Sequence, residues 1–183
     1  MKKRCSWVTD DPLYIDYHDT EWGEPVYDDA TLFEFLVLES FQAGLSWITI
    51  LKKREHFRAA FDQFDYQKIA SYDAAKKEAL MQNTGIVRNR LKIASTIKNA
   101  ALFQEIQREY GAFSNYIWAF VGGSPIVNAF KTSSEVPATS DISDRISKDL
   151  KRRGFKFVGS TIIYAFMQAT GMVNDHTTDC ICY

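Results

Sequence analysis

The stretch with the most chemical potential runs Glu39-Ser40-Phe41-Gln42-Ala43-Gly44-Leu45-Ser46-Trp47. An apolar helical segment, Leu32 to Leu38, leads into it, and Ile48 to Leu51 leads away. Gly44 interrupts two segments that otherwise read as helix, and a helix interior rarely carries glycine without a reason. A turn there sets a carboxylate, Glu39, and a large aromatic face, Trp47, beside one cavity. The plainer reading makes Glu39 a solvated helix residue and Trp47 a core anchor.

A second group spans the whole chain. Cys5 and His18 lie near its start, His176 and Cys180 near its end. Two thiolates and two imidazoles form a suitable tetrahedral set for Zn²⁺. His176 and Cys180 are one helical turn apart, which lets both reach one ion. Four protein ligands leave no open position for water, so such a zinc would be structural and would tie down two termini that otherwise fray. Cys182 competes with Cys180 for the same role. The plainer reading treats each buried cysteine as a small hydrophobe.

The third candidate is Arg152-Arg153-Gly154-Phe155-Lys156-Phe157-Val158-Gly159-Ser160-Thr161. A helix that starts after a glycine offers free backbone N–H groups to an anion. The flanking basic residues, Lys156 among them, add positive charge. Lys156, Gly159, Ser160 and Thr161 are thus candidates for holding a DNA phosphate without reading bases. An ordinary helix connection with a solvated basic face is the alternative. Thr84 to Arg90 is a second turn of the same kind, and Lys52-Lys53-Arg54 a third basic cluster.

These groups need helices to position them. Asp28 or Asp29 caps a predicted helix from Ala30 to about Gln42, and Ser46 caps one reaching about Phe61. Two short helices follow between Phe64 and Met81. A long one spans Arg88 to about Tyr110, with Leu91, Ile93, Ala94, Ile97, Ala101, Leu102 and Ile106 on its buried side. Further helices cover Phe113 to Val121, Asp141 to Arg153 and Ser160 to about Thr170. A short helix near Leu13 to Asp19 precedes them all. Residues 124–140 are irregular, and Ile126 and Val127 are too few to build a sheet, so the class is all-α.

At 183 residues and 46% hydrophobic content, one globular unit can bury a core. The expected lobes are 1–27 with 124–183, carrying the termini, and 28–123 at the centre. No apolar run is long enough to span a membrane. The start, Met1-Lys2-Lys3-Arg4, is basic but lacks the apolar stretch of a secretory signal. Three cysteines argue against a disulfide framework and for a reducing cytoplasm. The net charge of −1 means that DNA contact would depend on local basic patches.

Several long motifs carry a resemblance. They are D-P-L-Y-I-D-Y-H-D-T-E-W-G, L-E-S-F-Q-A-G-L-S-W-I-T-I-L-K-K-R-E, T-G-I-V-R-N-R-L-K-I, R-G-F-K-F-V-G-S-T-I-I-Y-A-F-M-Q-A-T-G-M-V-N-D-H and the final C-I-C-Y. From Cys5 to Tyr183, the chain resembles the bacterial 3-methyladenine DNA glycosylase I family. The resemblance implies a helix-hairpin-helix fold with a structural zinc joining the two ends, on Cys5, His18, His176 and Cys180. It implies a base pocket at Glu39, Tyr14, Tyr17 and Trp47, with Trp7 and Trp22 nearby. The expected activity is base-excision repair: hydrolysis of the N-glycosidic bond of N3-methyladenine in double-stranded DNA by a monomer without lyase activity. Most of the wider superfamily uses an aspartate beyond the hairpin, which this family is understood to lack. Asp175 is read instead as a partner of His176.

The turn Gln42-Ala43-Gly44-Leu45 is expected to enter the gap that a flipped base leaves, with plain core packing of Leu45 as the alternative. A catalytically silent, zinc-stabilised helix-hairpin-helix DNA-binding module is the rival reading. A zinc hydrolase is a further one, which requires an open coordination position.

Overall fold

The computed structural model describes residues 3–183; the basic start at Met1 and Lys2 lies outside them. The helices are α1 (Pro12–Thr20), α2 (Asp29–Gln42), α3 (Trp47–Ala60), α4 (Tyr66–Ala70), α5 (Ala74–Gln82), α6 (Arg90–Tyr110), α7 (Phe113–Ala119), α8 (Asp141–Arg152) and α9 (Ser160–Ala169). They follow the expected helices to within a residue or two. The irregular stretch holds one surprise: Ile126–Val127 (β1) pairs in parallel with Val173–Asn174 (β2). Two residues suffice because the partner strand comes from the far end of the chain.

The central support of the site is α2, which touches α3, α6, α7 and α9, while α1 packs on α3. Its sequence is apolar around most of its circumference, so it belongs inside rather than at the surface. Every residue from Phe35 to Phe41 is buried. Asp28 caps its start through the Thr31 amide at 2.8 Å. Asp29 instead reaches the amides of Phe113 and Ser114 at 2.9 and 2.8 Å, so a carboxylate meets the positive end of α7.

The buried face of α6 differs from the one expected. Leu91 is 71% exposed, and Ala94 and Ala101 are exposed too. The true inner line includes Ile93, Thr96, Ala100, Phe103 and Ile106, accompanied by Lys92 and Asn99. Polar residues occupy inward positions there because each has a partner waiting, and hydropathy alone cannot register that.

Helices α8 and α9 pack on each other and are joined by residues 153–159. Ser140 and Ser143 cap each other's backbone at the start of α8. Gly154, at φ 101°, ends it, with the Phe155 amide reaching back to the Leu150 carbonyl at 3.0 Å. Gly171 closes the far end of α9 at φ 69°, and a Cβ there would lie 2.3 Å from the Glu24 carbonyl carbon. That crossing holds residues 23–26 on α9, with Gly23 and Val26 amides bonded to Gln168 and Thr170 carbonyls. The two ends of the chain also meet: Lys3 exchanges backbone hydrogen bonds with Asp179 and Ile181.

Candidate active site

Where α1, the end of α2, the start of α3 and α9 converge, they enclose a cavity of about 300 Å³. Its walls include all the sequence-predicted aromatics, Trp7, Tyr14, Tyr17, Trp22 and Trp47, together with Glu39 and Gln42. The volume lies near the lower end of small-molecule sites, about 300–1,000 Å³, and suits one flat heterocycle. Tyr17 and Trp47 meet at a tilt of 47°, with ring centres 5.4 Å apart. Trp7 meets Tyr14 and Trp22 edge-on, both at 5.0 Å.

Glu39 is 3% exposed, so it is no solvated helix residue. The last turn of a buried helix carries it inward, and no side chain or amide among the described residues bonds to it. Burial therefore pushes its carboxyl up to about 8. The Tyr17 hydroxyl is raised by burial and then by the Glu39 charge. Arg54, 8% exposed, is already committed to Glu21 at 2.8 Å and Glu34 at 3.0 Å. That removes it from the basic cluster proposed for DNA. Trp47 Nε1 is buried without a partner among the described residues.

The irregular stretch and α9 add wall residues to which the sequence reading assigned no site role: Ser133, Val136, Ala165 and Gln168. Asp175 lines the cavity as well, and contrary to expectation it is not the hydrogen-bond partner of the His176 ring. It accepts from Tyr164 at 2.6 Å, Asn128 at 2.7 Å and Gln168 at 3.0 Å. The His176 ring bonds to Asn174 instead, Nδ1 to Oδ1 at 2.8 Å. Asn174 sits on β2, a strand that no local pattern predicts.

Beneath Trp7 and Trp22, the histidines gather with the cysteines. His18, His176, Cys180 and Cys182 bring potential ligand atoms within 4.8 Å of one another. His18 Nδ1 is held by Asp19 at 2.7 Å, and Asp19 is in turn gripped by Arg4. His18 Nε2 faces Cys180 Sγ at 3.5 Å, and His176 Nε2 is buried without a partner among the described residues. Both rings thus have one nitrogen fixed by an oxygen and the other turned inward, the arrangement metal-binding histidines use. Cys5 lies outside the compact group but borders it, its amide 3.4 Å from His18 Nε2. Cys182 Sγ approaches from the other side of that ring, 4.0 Å from the Nδ1 already taken.

In the turn between α2 and α3, Gly44 and Leu45 are exposed, Gly44 at φ 81°. The turn is braced by Leu45 N–H to the Gln42 carbonyl and Gln42 Nε2 to the Leu45 carbonyl, both 2.7 Å. At the other turn, Lys156 and Thr161 are exposed, and a Cβ built on Gly159 would meet nothing within 4 Å. Ser160 Oγ is occupied by Asp144 at 2.5 Å and Ser143 at 2.8 Å, which leaves its amide rather than its hydroxyl for an anion. Arg153 is taken by Glu109 and Asp149. In the turn at Thr84 to Arg90, Arg90 pairs with Glu78 and Arg88 is exposed.

The sequence model of a family described as methyladenine glycosylase matches residues 7–183. The chain is 51% identical over 181 residues to DNA-3-methyladenine glycosylase 1 of Escherichia coli, covering 99% of this chain and 97% of that protein. It is 50% identical to DNA-3-methyladenine glycosylase of Haemophilus influenzae, covering 100% and 98%. A crystal structure of 3-methyladenine DNA glycosylase I superposes with a TM-score of 0.97 at 50% identity, covering 99% of this chain and all of that one. The Staphylococcus aureus 3-methyladenine DNA glycosylase I, solved to describe its recognition of 3-methyladenine, gives 0.95 at 39% identity, covering 98% and 95%.

Proposed function

The chain belongs to the methyladenine glycosylase family, enzymes of base-excision repair that release 3-methyladenine from alkylated DNA, and we propose how its residues divide that work. The observation that carries the reading is Glu39: a buried carboxyl with no partner among the described residues, walled by aromatic rings. N3-methyladenine in DNA is cationic, and its glycosidic bond is already weakened. The protein has no need to protonate the leaving group; it must flip the nucleotide out and recognise it. Tyr17 and Trp47, with Tyr14, Trp7 and Trp22 around them, offer π faces to a cationic ring, each worth roughly 0.5–2 kcal/mol. The arriving cation favours ionised Glu39, which then accepts from the base edge through charge-assisted bonds. Trp47 Nε1–H is a donor awaiting an acceptor on the same base. As the bond breaks, positive charge moves to the sugar, and the carboxylate stabilises that state before water attacks.

Among the described residues the wall of the cavity contains no lysine, and the reading is simple hydrolysis without a Schiff base. The silent DNA-binding module has no use for an unpaired carboxyl among aromatic walls. α8, residues 153–159 and α9 form the helix-hairpin-helix element, holding a phosphate through Lys156, Gly159, the Ser160 amide and Thr161. Gln42, Gly44 and Leu45 form the wedge that enters the base stack.

The inward nitrogens of His18 and His176 and the Cys180 thiol fit a zinc ion, and the orphaned His176 Nε2 is the sign of it. Cys5 is the fourth ligand, on the Nε2 side of His18. A zinc bound there supplies a cross-link between the chain ends and fills its shell with protein ligands. Zinc content of Cys5→Ala against Cys182→Ala decides the fourth ligand: loss in the first and retention in the second support Cys5. The function itself is tested by the release of free base from methylated duplex by the purified protein, with Glu39→Gln as the comparison.

A further inference from the structure

The long helix α6 carries three buried polar side chains at helical spacing: Lys92, Thr96 and Asn99. Buried lysines are rare unless partnered, because desolvating an ammonium is costly. Lys92 is 8% exposed, and its Nζ donates to the carbonyls of Phe41 and Ala43, both at 2.8 Å. Those carbonyls belong to the last turn of α2 and its cap, where the helix leaves acceptors unpaired and its dipole favours a cation. Its charge also lies 6.0 Å from the Phe157 ring centre in the hairpin. Two turns along the same face, Asn99 holds the hairpin backbone from both sides: Nδ2 to the Lys156 carbonyl at 2.9 Å, and Oδ1 from the Lys156 amide at 3.0 Å. Ser40, beside Glu39 on α2, closes the loop by donating to the Phe157 carbonyl at 3.0 Å. Phe157 adopts φ 55°, a conformation that a phenylalanine keeps only when its surroundings impose it.

We propose that Lys92 is a positioning residue that fixes the turn entering the base stack relative to the hairpin that grips the phosphate, so that seating one presents the other at the right depth. This rests on the wedge and hairpin readings given above. The alternative of a plain core lysine fails on economy: a methionine of equal length would fill the space without an ammonium to desolvate. Lys92 bonds neither to Glu39 nor to any group lining the base cavity, so base recognition and base extrusion separate experimentally.

The test uses Lys92→Met, with folding checked by circular dichroism. Single-turnover excision from methylated duplex should fall roughly tenfold to a hundredfold, the size expected for a slight misplacement of the reacting geometry. Binding of free 3-methyladenine, followed by tryptophan fluorescence, should stay unchanged, and Lys92→Arg should recover part of the excision. In a Leu45→Ala background, Lys92→Met should cost nothing further, because residues that act as one unit are non-additive. Wild-type excision by folded Lys92→Met overturns the proposal, as does a parallel fall in free-base binding. Asn99→Ala cuts the hairpin end of the same brace and should give the same split. If Lys92→Met does not fold, that variant decides alone, with unchanged excision overturning the proposal. Wild-type excision by Leu45→Ala refutes the wedge reading itself and the brace with it. Loss in Leu45→Ala with none in Lys92→Met refutes the brace only.

Discussion

Replacing Glu39 with glutamine removes one charge from a place that resists it. Burial holds the carboxyl at about 8, against an ordinary value of 4.5. The sign follows from linkage: the folded state holds the proton more tightly than the unfolded chain. The stability tied to that proton is fully present below about 4.5 and is lost as pH rises through about 8. At about 1.4 kcal/mol per unit of pKa difference, the loss accumulated by neutral pH is on the order of 3 kcal/mol. Glu39→Gln carries no such loss. It should melt higher than wild type at neutral pH by roughly 5–10 °C, and the gap should close toward pH 5. Activity should move the opposite way. Without the charge-assisted bond, worth on the order of 1.5–3 kcal/mol, excision should slow about tenfold to a hundredfold. For wild type, kcat/KM should climb with pH up to about 8 and then level, because that ratio reports the free enzyme. Glu39→Gln should flatten the profile. Calorimetry across pH and single-turnover excision on methylated duplex supply the readouts. Equal melting of the two proteins at every pH, with wild-type excision by the variant, would refute a desolvated functional carboxyl.

His176→Ala, or removal of zinc by a strong chelator, should lower the melting temperature and loosen the joined termini, with the remaining folded fraction still binding free 3-methyladenine; metal analysis of freshly purified wild-type protein showing no zinc would sink the site. Lys156→Glu should weaken binding to all duplexes alike and lessen its salt dependence, since phosphate contacts carry no sequence information; unchanged affinity at low salt would move the grip to Thr84 to Arg90. Gly171→Ala forces a Cβ into the Glu24 backbone at a φ of 69°, so the variant should lose several kcal/mol of stability on the order expected for backbone strain plus overpacking. Thermal denaturation checks it, and a wild-type melting temperature would mean that the crossing at Glu24 is looser than described.

The helices and the cavity were legible because their signals are local. Asp28 and Ser46 punctuate the chain, and the turn at Gly44 set Glu39 and Trp47 beside one cavity, whereas the rings near α1 were placed there only by the family resemblance. What escaped was set by distant partners. Lys92, Thr96 and Asn99 were absent from the expected buried face, yet they face inward because α2 and the hairpin offer Lys92 and Asn99 partners that no periodicity reveals. Asn174 became the partner of His176 because β2 pairs with β1, a contact between residues nearly fifty positions apart. Ser133 and Val136 come from a stretch with no pattern at all. Asp175 was noticed, but its bonding depends on Tyr164, Gln168 and Asn128 converging from separate elements. Glu39 was found by its place beside a glycine turn, whereas its isolation from every partner emerged only from the packing around it.

The central claim, that Glu39 and the rings around it hold the damaged base, is tested most directly by a crystal structure of this chain with 3-methyladenine. The account predicts the base in the cavity between α1, α3 and α9, against the faces of Tyr17 and Trp47, with a Glu39 oxygen within hydrogen-bond distance of its edge. A base bound anywhere else, or bound there with Glu39 turned away, would contradict it.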